Sequence, residues 1–134
     1  MAKRKNKKRK KAGTGHRTAQ SQANPQPEAS HGVRRPRFTV AMATFNRAAW
    51  VADAIQSVLD QSLSDFEYVI VDDGSTDDTA SVIRSIADPR IKYIQKTVNE
   101  GRPATRNRIV AESSGEYILW MADDDRLAPG ILAR

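Results

Sequence analysis

Four short apolar runs, separated by stretches of helical periodicity, leave this chain few ways to fold. Phe38–Ala43 and Phe66–Val71 are apolar and β-branched, Ile91–Ile94 is a shorter run of the same kind, and a fourth follows the turn at Ser114 and Gly115. Such near-continuous runs are expected where helices cover both faces of a sheet. Between them, Val51, Ile55, Val58 and Leu59 fall on one helical face, and Val82, Ile83 and Ile86 mark a second amphipathic stretch. A weaker stripe runs from Pro103 to about Ser113, with Pro103 placed for a first helical turn. Asn46 stands where it can cap the first helix, and Ser75 with Asp78 has capping-box spacing at the second. The order β-α-β-α-β-α-β predicts an α/β fold of about four parallel strands with alternating helices.

Two strand ends carry the chemistry. The fourth run closes on Asp123, Asp124 and Asp125, and the second on Asp72, Asp73 and Gly74. Adjacent like charges repel, so a fold that keeps them together usually supplies a cation. Hard oxygen ligands at a strand end suit Mg2+ or Mn2+, which take one or two carboxylates and complete their shell with water and phosphate. In an open parallel sheet, ligands sit outside the carboxyl ends of the strands, where strand order reverses. The loops at those ends are Thr44–Arg47, Asp72–Ser75, Gln95–Arg106 and Ala122–Arg126. They offer the Phe45 ring, carboxylates, Arg106 and helix N-termini, a set that suits a nucleoside diphosphate. Neither Gly-x-Gly-x-x-Gly after the first strand nor Gly-x-x-x-x-Gly-Lys-[Ser/Thr] is present. Phosphate charge here has to be met by metal rather than by a glycine-rich cradle.

Charge is segregated along the chain. Residues 1–37 hold 12 of the 22 Lys and Arg but one of the 16 Asp and Glu, so the net charge of +6 hides a basic tail on a mildly acidic domain. Residues 1–36 contain hardly an apolar side chain and are predicted to be a disordered polybasic tail. Such a tail suits an anionic membrane surface; without interleaved aromatic residues, nucleic acid is not expected as a partner. The chain has no cysteine, so disulfides and thiolate metal sites are excluded. The basic start lacks an apolar region behind it, unlike a secretory signal, and a cytoplasmic location, peripheral to the membrane, is expected.

The ordered motifs together resemble those of the family 2 glycosyltransferases of the GT-A fold, in their amino-terminal, nucleotide-binding part. The matching residues are Ala43-Thr44-Phe45-Asn46-Arg47 and Val71-Asp72-Asp73-Gly74-Ser75-Thr76-Asp77. Asn99-x-Gly101 followed by Arg106-Asn107, and Gly115-Glu116-Tyr117-Ile118 leading to Asp123-Asp124-Asp125-Arg126-Leu127, complete the pattern. The resemblance implies a Rossmann-like region over 37–134 that binds a nucleotide-diphosphate sugar, a UDP-sugar favoured. It implies that Thr44, Phe45 and Asn46 line the nucleotide, with Phe45 stacking on the base and Asp73 accepting from the base edge. Arg106 is implied near the base or pyrophosphate, Asp124 at the ribose, and Asp125 with Asp123 at the metal, while Asp72 orients its turn.

Departures from the family pattern are Ala43 in place of a common Pro, Ile109 in place of a frequent Gly, and Ala122 in place of an acidic residue. None removes an implied ligand. The family's general base lies downstream of Asp125 and is expected beyond Arg134, the pattern stopping short at Pro129–Arg134. The expected reaction is metal-assisted displacement of the diphosphate by an acceptor hydroxyl, with inversion, and this chain alone is expected to bind donor but transfer poorly. Two other readings remain open on sequence: a nucleotidyltransferase of related architecture, and a basic-tailed adaptor binding RNA or anionic membrane.

Overall fold

The computed structural model describes residues 34–133, so the expected tail over 1–36 lies almost wholly outside the described residues. The apolar runs become strands β1 (Phe38–Thr44), β2 (Phe66–Asp72), β3 (Ile91–Gln95) and β4 (Tyr117–Met121). Between them lie helices α1 (Val51–Leu59), α2 (Thr79–Ser85) and α3 (Arg102–Glu112). All pairings are parallel, and the strand order is β3-β2-β1-β4. Strand alternation divides the core in two. Val40, Met42, Tyr68 and Ile70 pack on the face covered by Val51, Ile55 and Val58 of α1 and Ile83 of α2. Ala41, Val69 and Val71 point to the other face and meet Ile109 of α3. Both faces are covered, which is why the central strands show no polar alternation.

Both expected caps are replaced by longer-range contacts. Trp50, not Asn46, holds the position before α1, and it makes no side-chain cap bond. The Arg47 carbonyl accepts from the amides of Trp50 and Val51, forming a tight turn ahead of the helix. Asn46 has a positive φ of 52°, which asparagine tolerates. Its Oδ1 accepts from the Thr76 amide at 2.8 Å and the Asp77 amide at 3.3 Å. Ser75 Oγ likewise does not cap α2 but accepts from the Asn46 amide at 2.9 Å. The two loops therefore tie each other, closing the carboxyl ends of β1 and β2 into one rigid edge.

At the opposite end of the sheet, Glu67 gathers four donors. Its carboxylate accepts from Thr39 Oγ1 at 2.6 Å, the Ser114 amide at 2.5 Å, Ser114 Oγ at 2.9 Å and the Gly115 amide at 3.2 Å. Burial opposes its ionisation, but these donors hold the carboxyl below its ordinary value. A Cβ on Gly115 would lie 2.5 Å from the Thr39 amide nitrogen, so only glycine permits this approach. The contact sets β4 beside β1, with Phe38 level with Tyr117 and Met42 level with Met121.

Candidate functional site

Strand order reverses at β1. The chain leaves β1 for β2 and β3 on one side, then returns through α3 to place β4 on the other. A crevice of about 280 Å³ opens at that switch point, lined by Thr44 at the end of β1 and Phe45 just after it, Asp73 after β2, Asp123 after β4, and Gly101, Arg102 and Thr105 where α3 begins. Thr44, Phe45, Asp73 and Asp123 are thus brought together from strand ends far apart in sequence. Phe45 is 40 % exposed and presents its ring to this space.

Asp72 and Asp73 divide the labour at the end of β2. Asp72 is fully buried; its Oδ1 accepts from the Ser75 amide at 2.8 Å and its Oδ2 from Tyr93 Oη at 2.9 Å. It orients the turn and is spent on doing so. Asp73 turns to the crevice. Its Oδ1 accepts from Lys96 Nζ at 2.8 Å and the Glu100 amide at 3.0 Å, and its Oδ2 from the Gly101 amide at 2.9 Å. Burial would raise its pKa, yet these donors overrule it and keep the carboxyl ionised below its ordinary range. Asp73 is therefore a fixed acceptor with capacity left on Oδ2 for a donor from a ligand. Lys96 in turn is held between Asp73 and Glu100, whose carboxylates outweigh burial and raise its pKa.

The acidic stretch after β4 forms a turn in which the Asp125 amide approaches the Ala122 carbonyl. Asp123 is partly buried and faces Arg47, with 3.5 Å between Oδ1 and Nε. Asp124 and Asp125 are exposed and do not line the crevice. The turn is pinned from behind: Arg126 pairs with Asp53, the Leu127 amide donates to Ser57 Oγ, and Gln61 Nε2 donates to the Ala128 carbonyl. Among the described residues, no three acidic or histidine side chains converge as a preformed metal cage. The donor set is one crevice-facing carboxylate with two exposed neighbours on the same turn. That fits a hard cation such as Mg2+ or Mn2+, which uses few protein ligands and takes the rest from water and phosphate.

Asn46 and Arg106 stand apart from the crevice. Asn46 is engaged with the 76–77 loop, as described above, and Arg106 lies on the exposed side of α3 with its guanidinium 5.2 Å from the centre of the Trp120 ring. Sequence reasoning gave no individual role to Arg47, Arg102, Thr105 or Lys96. Arg47 was visible within the Thr44–Arg47 loop; Lys96 carried no signal, because its importance comes from a contact 23 residues away.

Two buried side-chain atoms among the described residues have no hydrogen-bond partner, Thr44 Oγ1 and Arg47 Nε. Both belong to residues that line this crevice. Buried polar atoms are paired in the great majority of cases, and an exception calls for an explanation such as strain, a catalytic role, a water or an ion.

Known proteins resemble this chain in both sequence and fold. The family model described as glycosyl transferase family 2 matches residues 39–134. A Campylobacter jejuni protein named GalNAc(5)-diNAcBac-PP-undecaprenol beta-1,3-glucosyltransferase is 36 % identical over 101 residues, covering 73 % of this chain and 33 % of the relative. The putative colanic acid biosynthesis glycosyl transferase WcaA of Escherichia coli is 39 % identical over 100 residues, covering 73 % of this chain and 36 % of its own. The chain thus spans about a third of the length of these relatives. Among solved structures, S. aureus TarS 1-349 in complex with UDP superposes with a TM-score of 0.68 at 29 % identity, over 72 % of this chain and 30 % of that one. Mannosyltransferase PcManGT from Pyrobaculum calidifontis, in complex with GDP-Man and Mn2+, gives 0.63 at 26 % identity, over 70 % and 29 %.

Proposed function

The chain belongs to glycosyl transferase family 2, and we propose that its crevice is the donor site of a glycosyltransferase that moves a sugar from a nucleoside diphosphate to an acceptor hydroxyl. The observation that carries this reading is the pair of unpartnered buried atoms, Thr44 Oγ1 and Arg47 Nε, in a crevice already walled by Phe45, Asp73 and Asp123. Phe45 offers a ring face to the base. Asp73, held ionised by Lys96 and two amides, accepts an N–H from the base edge, which favours a UDP-sugar. The UDP and UDP-GlcNAc complexes of TarS support that preference.

The turn at Asp123–Asp125 is assigned to a divalent ion and the ribose. When bound, Mg2+ or Mn2+ would neutralise charge on the departing diphosphate; the Mn2+ complex of PcManGT supports this assignment. We assign acceptor deprotonation to a group outside this crevice. Asp73 already accepts three hydrogen bonds and is held well ionised, which makes it a weak base, and Asp123 belongs to the turn assigned to the divalent ion, on the leaving-group side. Inversion at the anomeric carbon follows if that group takes the proton of the acceptor hydroxyl, whose oxygen then bonds the anomeric carbon from the face opposite the diphosphate as the bond to the diphosphate breaks. The polybasic tail would keep the protein at the cytoplasmic face of an anionic membrane, and the undecaprenol in the name of the Campylobacter relative supports an acceptor at such a surface.

Calorimetric titration of the whole chain with UDP, in Mn2+ and again in EDTA, tests the proposal. Binding only with metal is expected; equal affinity in both would remove the metal role, and absence of binding in both would remove the donor site.

A further inference from the structure

Arg47 is built into the crevice in an incomplete state. Its backbone is fixed on both sides, the amide donating to Thr79 Oγ1 at 2.8 Å and the carbonyl starting α1. Its side chain passes Trp50, 5.8 Å from the ring centre, and reaches the crevice wall. There its Nε is buried without a hydrogen-bond partner. The nearest anion is Asp123, at 3.5 Å in a geometry that brings opposite charges together without forming a hydrogen bond. An arginine fork satisfies itself best on two oxygens in one plane, as carboxylate or phosphate provides. This one has been given a partner it cannot fully engage.

Asp123 is at the same time the crevice-facing carboxylate of the turn assigned above to a divalent ion. One carboxylate cannot serve both cations at full strength. We propose that Arg47 is a place-holding cation, which neutralises Asp123 in the empty crevice and hands its guanidinium to the donor's diphosphate once metal and donor load. This rests on the donor-site reading and adds to it a ligand-contacting residue and an order of charges. The empty site avoids an unpaired buried carboxylate, and the loaded site gains a phosphate contact that supplies the missing partner of Arg47 Nε. The exchange also couples the two ligands: metal alone must displace Arg47 with nothing to receive it, whereas metal with diphosphate need not.

The test uses the whole chain and three probes: Mn2+ alone, followed by the electron paramagnetic resonance of free Mn2+, and UDP and uridine, followed by calorimetry in Mn2+. Arg47→Gln is expected to weaken UDP by about 10- to 100-fold, the worth of a charged hydrogen bond. Uridine, which lacks phosphate, should bind the variant as it binds the parent and so reports an intact crevice. Mn2+ alone should bind Arg47→Gln more tightly, by roughly threefold or more, since a competing cation has been removed. Arg47→Lys, keeping the charge, should lose less UDP affinity than Arg47→Gln. Equal losses for UDP and uridine, unchanged or weaker Mn2+ binding, or equal losses in the two variants would each overturn the proposal. A parent chain that binds neither UDP nor uridine would overturn the donor-site reading and this one with it; a parent that binds UDP while Arg47→Gln binds it equally well would overturn this one alone.

Discussion

Replacing Lys96 by methionine should cost more than any exposed charge would, because of where the charge sits. The Lys96 and Asp73 side chains are 12 % and 7 % exposed, with 2.8 Å between Nζ and Oδ1. Methionine keeps the packing of the lysine stem but leaves Asp73 buried with the Glu100 and Gly101 amides as its remaining donors. Breaking a buried pair by removing one partner typically costs about 3–5 kcal/mol. The two amides retain part of the compensation, so a loss of about 2–3 kcal/mol at pH 7 is expected. For a folded unit of this size that is roughly 10–20 °C in thermal midpoint. The pH dependence has a definite sign. Asp73 is depressed in the folded state, so its contribution is present above its unfolded pKa and lost as pH falls through the folded one. In Lys96→Met the folded pKa rises, and the contribution shrinks at neutral pH. Below both values Asp73 is neutral in either protein, so the gap between parent and variant should narrow as the pH falls through the depressed folded value. Urea denaturation at pH 7 and at low pH measures both. A loss below about 0.5 kcal/mol at pH 7, the level of an ordinary surface substitution, or a gap that persists undiminished in acid, would refute the reasoning.

Two other expectations follow from contacts described above, and a third from the charge of the tail. Asp72→Ala orphans the Ser75 amide and Tyr93 Oη together and should destabilise by about 2–4 kcal/mol in urea titration. Gly74→Ala meets two obstacles, a φ of +76° and a Cβ 2.7 Å from the Val98 carbonyl carbon; it should lower stability by about 1–3 kcal/mol and loosen the loop that holds Asp73, seen as faster hydrogen exchange at Glu100 and Gly101. Deleting residues 1–33 should leave the thermal midpoint unchanged while abolishing low-salt co-sedimentation with anionic vesicles, and a clear midpoint drop would show that the tail contributes to the folded unit.

The strands were legible because burial on both faces demands unbroken apolar runs, and Phe38–Thr44 and Phe66–Asp72 supply them at strand length between turn residues. Helix starts were less legible. Asn46 has the chemistry of a cap, but the same carbonyl serves equally well to bind the amides of Thr76 and Asp77, 30 and 31 residues away. Nothing local separates the two uses. Ser75 misleads in the same way, its hydroxyl taking the Asn46 amide rather than one of α2. In the site, Thr44, Phe45, Asp73 and Asp123 could be grouped from sequence because each ends or follows a strand and parallel strands deliver their ends to one side. The placement of Arg106 depended on which face of α3 it occupies, and α3 has too weak an apolar stripe to fix that rotation in advance. Lys96 and Arg47 owe their roles to partners in other loops, which only the folded chain brings near.

Glu67 sits at the far end of the sheet from the crevice, yet what it holds reaches the other end. A parallel strand shifted by one residue turns every side chain to the opposite face. Along β4 such a slip would send Met121 out of the core and carry Asp123 away from Arg47. The Glu67 clasp on Ser114 and Gly115, with the close pass of Gly115 against Thr39, makes one alignment of β4 accessible and excludes its neighbours. The acidic turn is therefore aimed like a pointer from its hinge. Changes at Glu67, Thr39 or Gly115 would alter where the carboxylates arrive without touching anything that a ligand touches, so the reach of the site can be adjusted from the side of the molecule it never faces.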